Sequence, residues 1–557
     1  MNRKAKKIVA FIIAVTMVVL SLAACGNSTD TADSTASTST AAATSAVDTK
    51  PAAPEPVTLQ FFVPPAQAPN DMDAVLAEFE KQTKDTLNTK IVFNWVDFPD
   101  LGSTITVKLA AGEQVDSAFS AQWTTPNIQQ NVSKGLFLNL DSYFLNDKYP
   151  GLKNAFSKQL LDNNAWTDAN NETHYYSIPF AHSYSAVETI AYRQDLADKY
   201  GIGVIDSFDK LEAYWEQIAK NEKGVIPFGW DGSINNLSDR IFSWYMPLPS
   251  KHNYNIDNLL VVKEDGTAYR ASHPVAMLDP EYVKNLPDEL KSFDPYFGYK
   301  KATEWYTKGY LEKDVLTQKD ARSAFNAGKF ASALTSADTY DADKSKLESG
   351  VPGAKFGYFT AHAQFRENKP GKFGADYRAW NFACIPVTSQ YADRTMNFFN
   401  WLFEDKKNHD LFEFGIEGKH WIADGEDKLK IPEGIDASKN YNLVGFQLTW
   451  SSAMQRFSST MPDEIVNLNK IASDPNFFYK DVMAGFSFVS DPVKSEQAKI
   501  NDLDSRLRGI KNGVIANYEK ALSDIQKKYI SAGFEKYNAE YVKQFNEFLK
   551  TNPYNGQ

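Results

Sequence analysis

The chain has 557 residues, a formal net charge of −11 and an aromatic content of 13%. Its acidic and basic residues are interspersed, which weighs against a nucleic-acid-binding protein, because such a protein needs a basic face. Only two cysteines are present, so we expect no disulfide framework. Since a single hydrophobic core rarely serves more than about 300 residues, we expect two or more lobes.

The first 24 residues have the three parts of a secretory signal. A positively charged head at residues 3–7 precedes an apolar run at residues 8–20. A membrane-spanning helix needs about 20 apolar residues, so this run is too short for a permanent span. The sequence Leu22-Ala23-Ala24-Cys25 resembles the bacterial lipobox, in which the cysteine receives a diacylglyceryl group. We therefore predict cleavage after Ala24 and lipidation of Cys25.

Residues 25–56 begin with the predicted lipidation site and are rich in Ser, Thr, Ala and Pro. This stretch contains almost no large apolar side chains and cannot offset its ordering entropy by burial. We expect a disordered tether with a root-mean-square reach of roughly 30 Å, estimated for a flexible coil.

The body of the protein begins with strands and helices in alternation. Residues 57–63 alternate and are rich in strand formers, and residues 91–96 are the next predicted strand. A helix between them has Val75 and Phe79 in helical period, and a second helix at 104–111 ends before Gly112. A short strand then begins near Asp116. This order predicts an α/β fold with a parallel or mixed sheet.

Four stretches resemble, in the expected order, elements of the extracellular solute-binding proteins that serve ABC importers, particularly the sugar-binding branch. They are VKLAAGEQVD at 107–116, YYSIP at 175–179, AYRQDL at 191–196 and FNAGKFA at 325–331. Within the third stretch we expect Arg193 and Asp195 to form a local ion pair at a strand end.

Three further stretches resemble the LplA-like group of large Gram-positive lipoproteins in that family. They are RTMNFFNWL at 394–402, GIEGKHW at 415–421, and the tail at 485–496. The resemblance implies a two-lobed periplasmic-binding-protein-like (Venus flytrap) fold with a C-terminal helical extension.

The resemblance also implies how the chain is divided. We expect an N-terminal lobe of residues 57–180 and about 360–425, and a C-terminal lobe of residues 181–359 and about 426–490. Residues 491–557 would form the helical segment. An apolar stripe with helical spacing should pack this segment on the body: Leu503, Leu507, Ile510, Val514 and Tyr518.

A geometric rule predicts where most of the ligand contacts lie. Ligands of α/β folds lie at the carboxyl ends of strands, so cleft residues should follow or flank strands directly. A sugar needs a flat apolar face for its ring and fixed donors and acceptors for its hydroxyls, which an aromatic ring beside a polar side chain provides. The strand-end rule selects Gln122, Trp123, Tyr184, Trp230, Asp231, Trp380 and Asn381. The further predicted ligand-binding residues are Asp376 and Arg378, which are close to Trp380 in the sequence, and the aromatic residues Trp244, Tyr245 and Trp450.

These observations predict a monomeric substrate-binding lipoprotein on the extracellular face of the cell membrane. It would capture a carbohydrate between its lobes and deliver it to the permease subunits of an ABC importer, and within the carbohydrates we expect an oligosaccharide. We expect it to use neither a metal nor a cofactor, and the membrane only through its lipid anchor.

The sequence leaves two alternative functions open. A secreted glycoside hydrolase needs a pair of carboxylates at a defined separation, and Glu188 and Asp195 can be nominated, although nothing in the sequence distinguishes them. No nucleophile-elbow, zinc-protease, Walker or dinucleotide motif stands out. A surface sensor would have the same cleft and would signal through a partner.

Overall fold

A computed structural model of the protein describes residues 53–436 and 439–554. The predicted signal sequence, the predicted lipidation site at Cys25 and most of the predicted tether lie outside these residues. Within the described ranges, none of the helices has both the length and the apolar character that crossing a membrane requires.

The strands are short and spread over most of the chain. They are β1 Val57–Val63, β2 Thr89–Trp95, β3 Ser117–Ala121, β4 Trp166–Thr167, β5 Thr173–His174, β6 Ile178–Phe180, β7 Glu188–Arg193, β8 Tyr254–Asn255, β9 Leu260–Val262, β10 Ala268–Arg270, β11 Ser332–Ser336, β12 Phe356–Thr360, β13 Gly374–Ala375, β14 Asn381–Cys384, β15 Ile422–Asp424, β16 Lys428–Lys430, β17 Phe457–Ser458 and β18 Tyr479–Lys480.

The α-helices alternate with these strands up to the last quarter of the chain. They are α1 Met72–Thr83, α2 Leu101–Ala110, α3 Ile128–Ser133, α4 Asp141–Phe144, α5 Pro150–Ala155, α6 Lys158–Asn163, α7 Gln194–Lys199, α8 Phe208–Asn221, α9 Leu237–Tyr245, α10 Pro280–Lys284, α11 Asp288–Lys291, α12 Phe297–Thr307, α13 Ala321–Asn326, α14 Tyr340–Gly350, α15 Ala363–Arg366, α16 Ala392–Glu404, α17 Lys406–Glu413, α18 Asp463–Ser473, α19 Lys494–Lys511, α20 Tyr518–Ala532 and α21 Phe534–Thr551.

The first sheet has five strands in the order β2-β1-β3-β14-β6. β1 is parallel to β2 and β3, while β14 is antiparallel to both of its neighbours. Leu59 and Phe61 of β1 are fully buried, as expected for strand-forming residues between layers of helices. The predicted mixed α/β sheet is thereby confirmed.

The second sheet has three antiparallel strands in the order β11-β7-β12. Its core is separate from the first and is filled by aromatic rings, among them the fully buried Trp215 and Trp305. Val187 packs in the first core and Ile190 in the second. The chain therefore crosses between the two cores just after Val187, where β7 begins.

Helices α19 to α21 form a third core together with the small sheet β8-β9-β10. In the predicted apolar stripe, Leu503, Leu507 and Ile510 are buried on α19. The helix ends at Lys511, however, and Tyr518 begins α20. The stripe is therefore divided between two helices by the turn at residues 512–517.

Residues 441–478 pack differently from the lobe division expected from the sequence. Tyr441, Leu448, Ile465 and Phe478 belong to the first core, with β1 and β14, although residues 426–490 were expected in the second lobe. The physical reason is that α18 packs beneath the crossing segment, where the Tyr184 amide donates to the carbonyl of Ala472 at 2.8 Å.

Candidate ligand-binding site

A row of aromatic rings lies at the carboxyl edge of the first sheet. Trp123 follows β3 and is 44% exposed, and Phe98 follows β2 and is 40% exposed. Their ring centroids are 5.4 Å apart. Phe446 lies 6.1 Å from Phe98, and Trp450 lies 6.0 Å from Phe446. We call these four residues the aromatic surface.

The start of β14 brings a further aromatic side chain to the same edge of the sheet. Asn381 pairs with Ala121 in the antiparallel register, so Trp380 lies opposite Gln122. Gln122 Nε2 donates to the carbonyl of Ala379 at 3.3 Å, which joins the two strand ends. Trp380 is 60% exposed. The structure thus brings together Gln122, Trp123, Trp380 and Asn381.

Trp450 connects the aromatic surface to the segment that crosses between the cores. Its carbonyl accepts from the Ala181 amide at 3.2 Å, and its ring lies 4.1 Å from that of His182. Tyr184, two residues further on, is buried instead of facing a cleft. Its hydroxyl group already bonds to the hydroxyl groups of Ser157 and Ser452.

The structure places three predicted aromatic contacts in or against the second core rather than on a ligand surface. Trp230 is only 2% exposed, and its Nε1 donates to Asn512 Oδ1 at 2.7 Å. Trp244 is buried and donates to Glu188 Oε2 at 2.9 Å. Tyr245 stacks on Phe208 with ring centroids 4.4 Å apart. In each case the indole or phenol ring has a structural partner.

The predicted polar residues Asp231, Asp376 and Arg378 are bound to backbone groups. Asp231 Oδ1 accepts from the Ala321 amide at 2.6 Å, and burial raises the pKa of this carboxyl. Asp376 accepts from the Arg378 amide at 3.0 Å. Arg378 itself donates to the carbonyl of Phe486. All three therefore hold the chain in place, outside the group at the sheet edge.

A cavity of about 960 Å³ lies beside the beginning of β7. Glu188 is on its wall and is held there from three sides. Its carboxylate accepts from Trp244, forms an ion pair with Arg240 at 3.1 Å, and lies 3.0 Å from His362 Nε2. Burial alone would raise the pKa of Glu188, but the hydrogen bond to His362 and the charge of Arg240 outweigh it and lower the pKa to about 2.

The charges that line this cavity are nearly balanced, with five acidic residues and four lysines and arginines. Asp239 and Lys511 form an ion pair at 2.8 Å, as Glu188 and Arg240 do at 3.1 Å. The volume lies at the upper end of the range of about 300–1,000 Å³ for small-molecule sites. The cavity is thus a polar, nearly neutral space whose volume suits a ligand at the large end of that range.

Comparison with known proteins decides the family. Residues 64–408 match the model of the bacterial extracellular solute-binding proteins, which covers more than half of the chain. The chain belongs to this family. A second match, at residues 482–550, is to DUF3502, a domain of unknown function.

The relatives of this solute-binding protein include a curated one. It is the carbohydrate ABC transporter substrate-binding protein of Streptococcus pneumoniae serotype 4, 23% identical over 86% of this chain and 89% of the relative. The N-glycan transport solute-binding protein NgtS of S. pneumoniae has a TM-score of 0.63 at 19% identity, over 89% of this chain and all of NgtS. Its complex with Man1GlcNAc has a TM-score of 0.55 at the same identity and coverage. These likenesses confirm the two-lobed fold of the solute-binding protein.

The carboxylate pair nominated for a glycosidase does not have the required geometry. Glu188 begins β7, while Asp195 lies beyond its other end at Arg193. An extended strand of this length spans roughly 17 Å, whereas paired catalytic carboxylates are roughly 5–10 Å apart. Arg193 Nε donates to Asp195 Oδ1 at 2.8 Å, which confirms the expected local pair.

Several residues of the aromatic surface and of the cavity in this solute-binding protein were not predicted from the sequence. Phe98 was detectable, because it lies three residues beyond the end of β2 and the strand-end rule applies to it. Phe446 and Lys511 carry no such signal, since neither follows a strand. Both reach their positions through contacts between distant parts of the chain.

Proposed function

We propose that this solute-binding protein captures an oligosaccharide and delivers it to an ABC permease. The observation that carries the proposal is the aromatic surface, with Trp380 beside it. Trp123, Phe98 and Trp380 are large exposed rings at one edge of a sheet, beside the amide groups of Gln122 and Asn381. Such rings stack on the apolar faces of sugars, and amides bond to the hydroxyl groups.

The relatives support the same ligand class. The curated relative is a carbohydrate ABC transporter substrate-binding protein, and NgtS is an N-glycan transport solute-binding protein.

The crossing segment suggests how capture works. The chain passes between the two cores from Val187 to Ile190, from Ala331 to Ala337 and from Ala361 to Phe365. A ligand that contacts both cores favours the conformation in which they approach, because only that conformation offers both sets of contacts. The permease would then recognise the closed form. No covalent step takes part in this cycle.

The proposed location is the outer face of the cell membrane. Lipidation at Cys25 would add two acyl chains, and each buried methylene contributes about 0.8 kcal/mol, which gives stable anchoring. The tether would hold a monomeric body within reach of its permease.

A glycan array with the lipid-free body, residues 53–557, tests the proposal. We expect binding to oligosaccharides, and Trp123→Ala should weaken it about tenfold, since one aromatic contact contributes about 1.5 kcal/mol. Tyr391→Ala is the matched control, because Tyr391 is also exposed but lies away from the sheet edge at the start of α16.

Two results would contradict the proposal. The first is an array on which the wild-type body binds no glycan while it binds another class of solute in a thermal-shift screen. The second is unchanged glycan affinity in both Trp123→Ala and Trp380→Ala, which would remove the aromatic surface from the binding site.

A further inference from the structure

The cavity wall is built partly from the C-terminal segment, residues 482–550. Ile500, Asp504, Leu507 and Lys511 of α19 all line the cavity. Their spacing of four, three and four residues places them on one face of the helix. Tyr529 of α20 and two aromatic residues of α21 extend the same wall. The domain of unknown function therefore faces the cavity directly.

This segment is fixed to the second core by a buried polar side chain. Asn512 is fully buried, and its Oδ1 accepts from Trp230 Nε1 at 2.7 Å and from the Leu237 amide at 3.2 Å. Its Nδ2 donates to the carbonyl of Asn235 at 3.0 Å. Because a fully satisfied buried amide is costly to disrupt, these hydrogen bonds stabilise the position of the wall against the second core.

The cations around the cavity are already occupied by protein groups. Lys511 of the segment pairs with Asp239, and Arg270 lies 4.4 Å from the ring of Tyr541, with its Nη1 donating to Asn538 at 2.5 Å. Of the other two cations that line the cavity, Arg240 pairs with Glu188 at 3.1 Å and Lys372 donates to the carbonyl of Pro249 at 2.9 Å. The balance of charge around the cavity favours an uncharged ligand.

One carboxylate of the cavity remains uncommitted. Asp257 forms no hydrogen bond and no ion pair within 4.0 Å with any residue of 53–436 or 439–554. The side chain of Asp257 is in contact with solvent inside the cavity. The protein atoms that surround the cavity partly desolvate its carboxyl group, and this desolvation, together with the negative charge of Asp239, raises the pKa of Asp257. A carboxylate with both oxygens available can accept hydrogen bonds from two neighbouring hydroxyl groups.

The cavity and the aromatic surface are neighbours along the chain. His182 touches Trp450 of the aromatic surface, while Ser185 and Ala186 line the cavity. Three residues of extended chain span at most about 10 Å. A ligand of several sugar rings can therefore contact both features, whereas a short one cannot reach from one far end to the other.

We propose that the C-terminal segment is a ligand-binding element: with Asp257 it forms a second subsite, which takes uncharged sugar rings at the far end of a long oligosaccharide. This inference rests on the proposed function and assigns a role to the domain of unknown function. It makes the segment a determinant of ligand length. The aromatic surface alone then suffices for short sugars.

A tryptophan placed in the wall of the subsite tests the inference. Asn501 is an exposed residue of α19 that lines the cavity, so Asn501→Trp fills space without disturbing a core. Ala498→Trp is the control, since Ala498 is also exposed on α19 but outside the cavity wall. Asp257→Asn tests the carboxylate without a change in volume. Affinities are measured by calorimetry on the lipid-free body with Man1GlcNAc, Man5GlcNAc and the longest and shortest array ligands.

We expect Asn501→Trp to weaken binding of the longest glycan at least tenfold and that of the shortest less than twofold. Asp257→Asn should likewise weaken binding of the longest glycan more than that of the shortest. Ala498→Trp should bind glycans of all lengths like the wild type. If the wild type binds glycans and Asn501→Trp and Asp257→Asn bind them equally well at all lengths, this inference is overturned and the proposed function stands. If the wild type binds none of the glycans, both are overturned.

Discussion

Asn512→Ala tests whether the C-terminal segment is locked to the second core. In the wild type, the side-chain amide of Asn512 satisfies the indole of Trp230 and the backbone amide of Leu237, both of which are buried. Each buried donor left without a partner costs about 1–3 kcal/mol. Since the two losses share one site and are not fully additive, we expect the free energy of opening the segment to fall by about 3–4 kcal/mol.

Amide hydrogen exchange measures this opening locally. A loss of about 3–4 kcal/mol corresponds to protection that falls about 100- to 1,000-fold in α19, α20 and α21. Amides of β1 and β3 should keep their protection, because they lie in another core. The control is Asn517→Ala, which removes only the N-cap bond of α20 to the Lys520 amide, at a cost of about 1 kcal/mol. If the amides of α19 to α21 are equally protected in Asn512→Ala and Asn517→Ala, Asn512 does not lock the segment to the second core.

Two further predictions concern pH and backbone geometry. The pKa of Glu188 is lowered from its ordinary value of 4.5 to about 2, so its ionised form stabilises the folded state above pH 4.5. That contribution, about 3 kcal/mol, is lost as the pH falls towards 2. Glu188→Gln should therefore flatten the fall in Tm across this range, and a curve parallel to that of the wild type would contradict the prediction. Gly513→Ala should lower Tm by several degrees, because φ is 75° and the new Cβ would lie 2.2 Å from the carbonyl oxygen of Ala302. Gly112→Ala, with φ 69° but open space around it, should cost only about 1 kcal/mol of strain; equal losses of Tm would argue against the close contact.

The elements of the first sheet could be predicted because their signal is local. The residues of β1 alternate and stop at a proline pair, and the strand occurs at the predicted position. The exposure of Trp123 also followed from its place after a strand. In these cases one short stretch of sequence contains all the information that decides the outcome.

The role of Trp230 could not be predicted in the same way. Trp230 and Trp123 both stand beside a polar residue just after an extended stretch, so their sequence contexts look alike. The difference between the two residues comes from Asn512, which lies 282 residues from Trp230 along the chain. Its Oδ1 accepts a hydrogen bond from the indole N–H of Trp230. Likewise, the packing of residues 441–478 with the first core depends on tertiary contacts that have no periodic pattern.

The position of β14 has a consequence for the order of folding. This strand lies between β3 and β6, yet β6 ends at Phe180 and β14 begins only at Asn381. Until the chain has emerged beyond Cys384, β3 has one unpaired edge, and β6 lacks the one strand it pairs with among the described residues. Such unpaired edges favour association with other chains. Pairing over so long a separation is also slow, because the entropy of closing the loop is paid first. The first sheet is therefore completed late, whereas the second sheet, whose strands all lie between residues 188 and 360, can form before residues 381–384 have emerged.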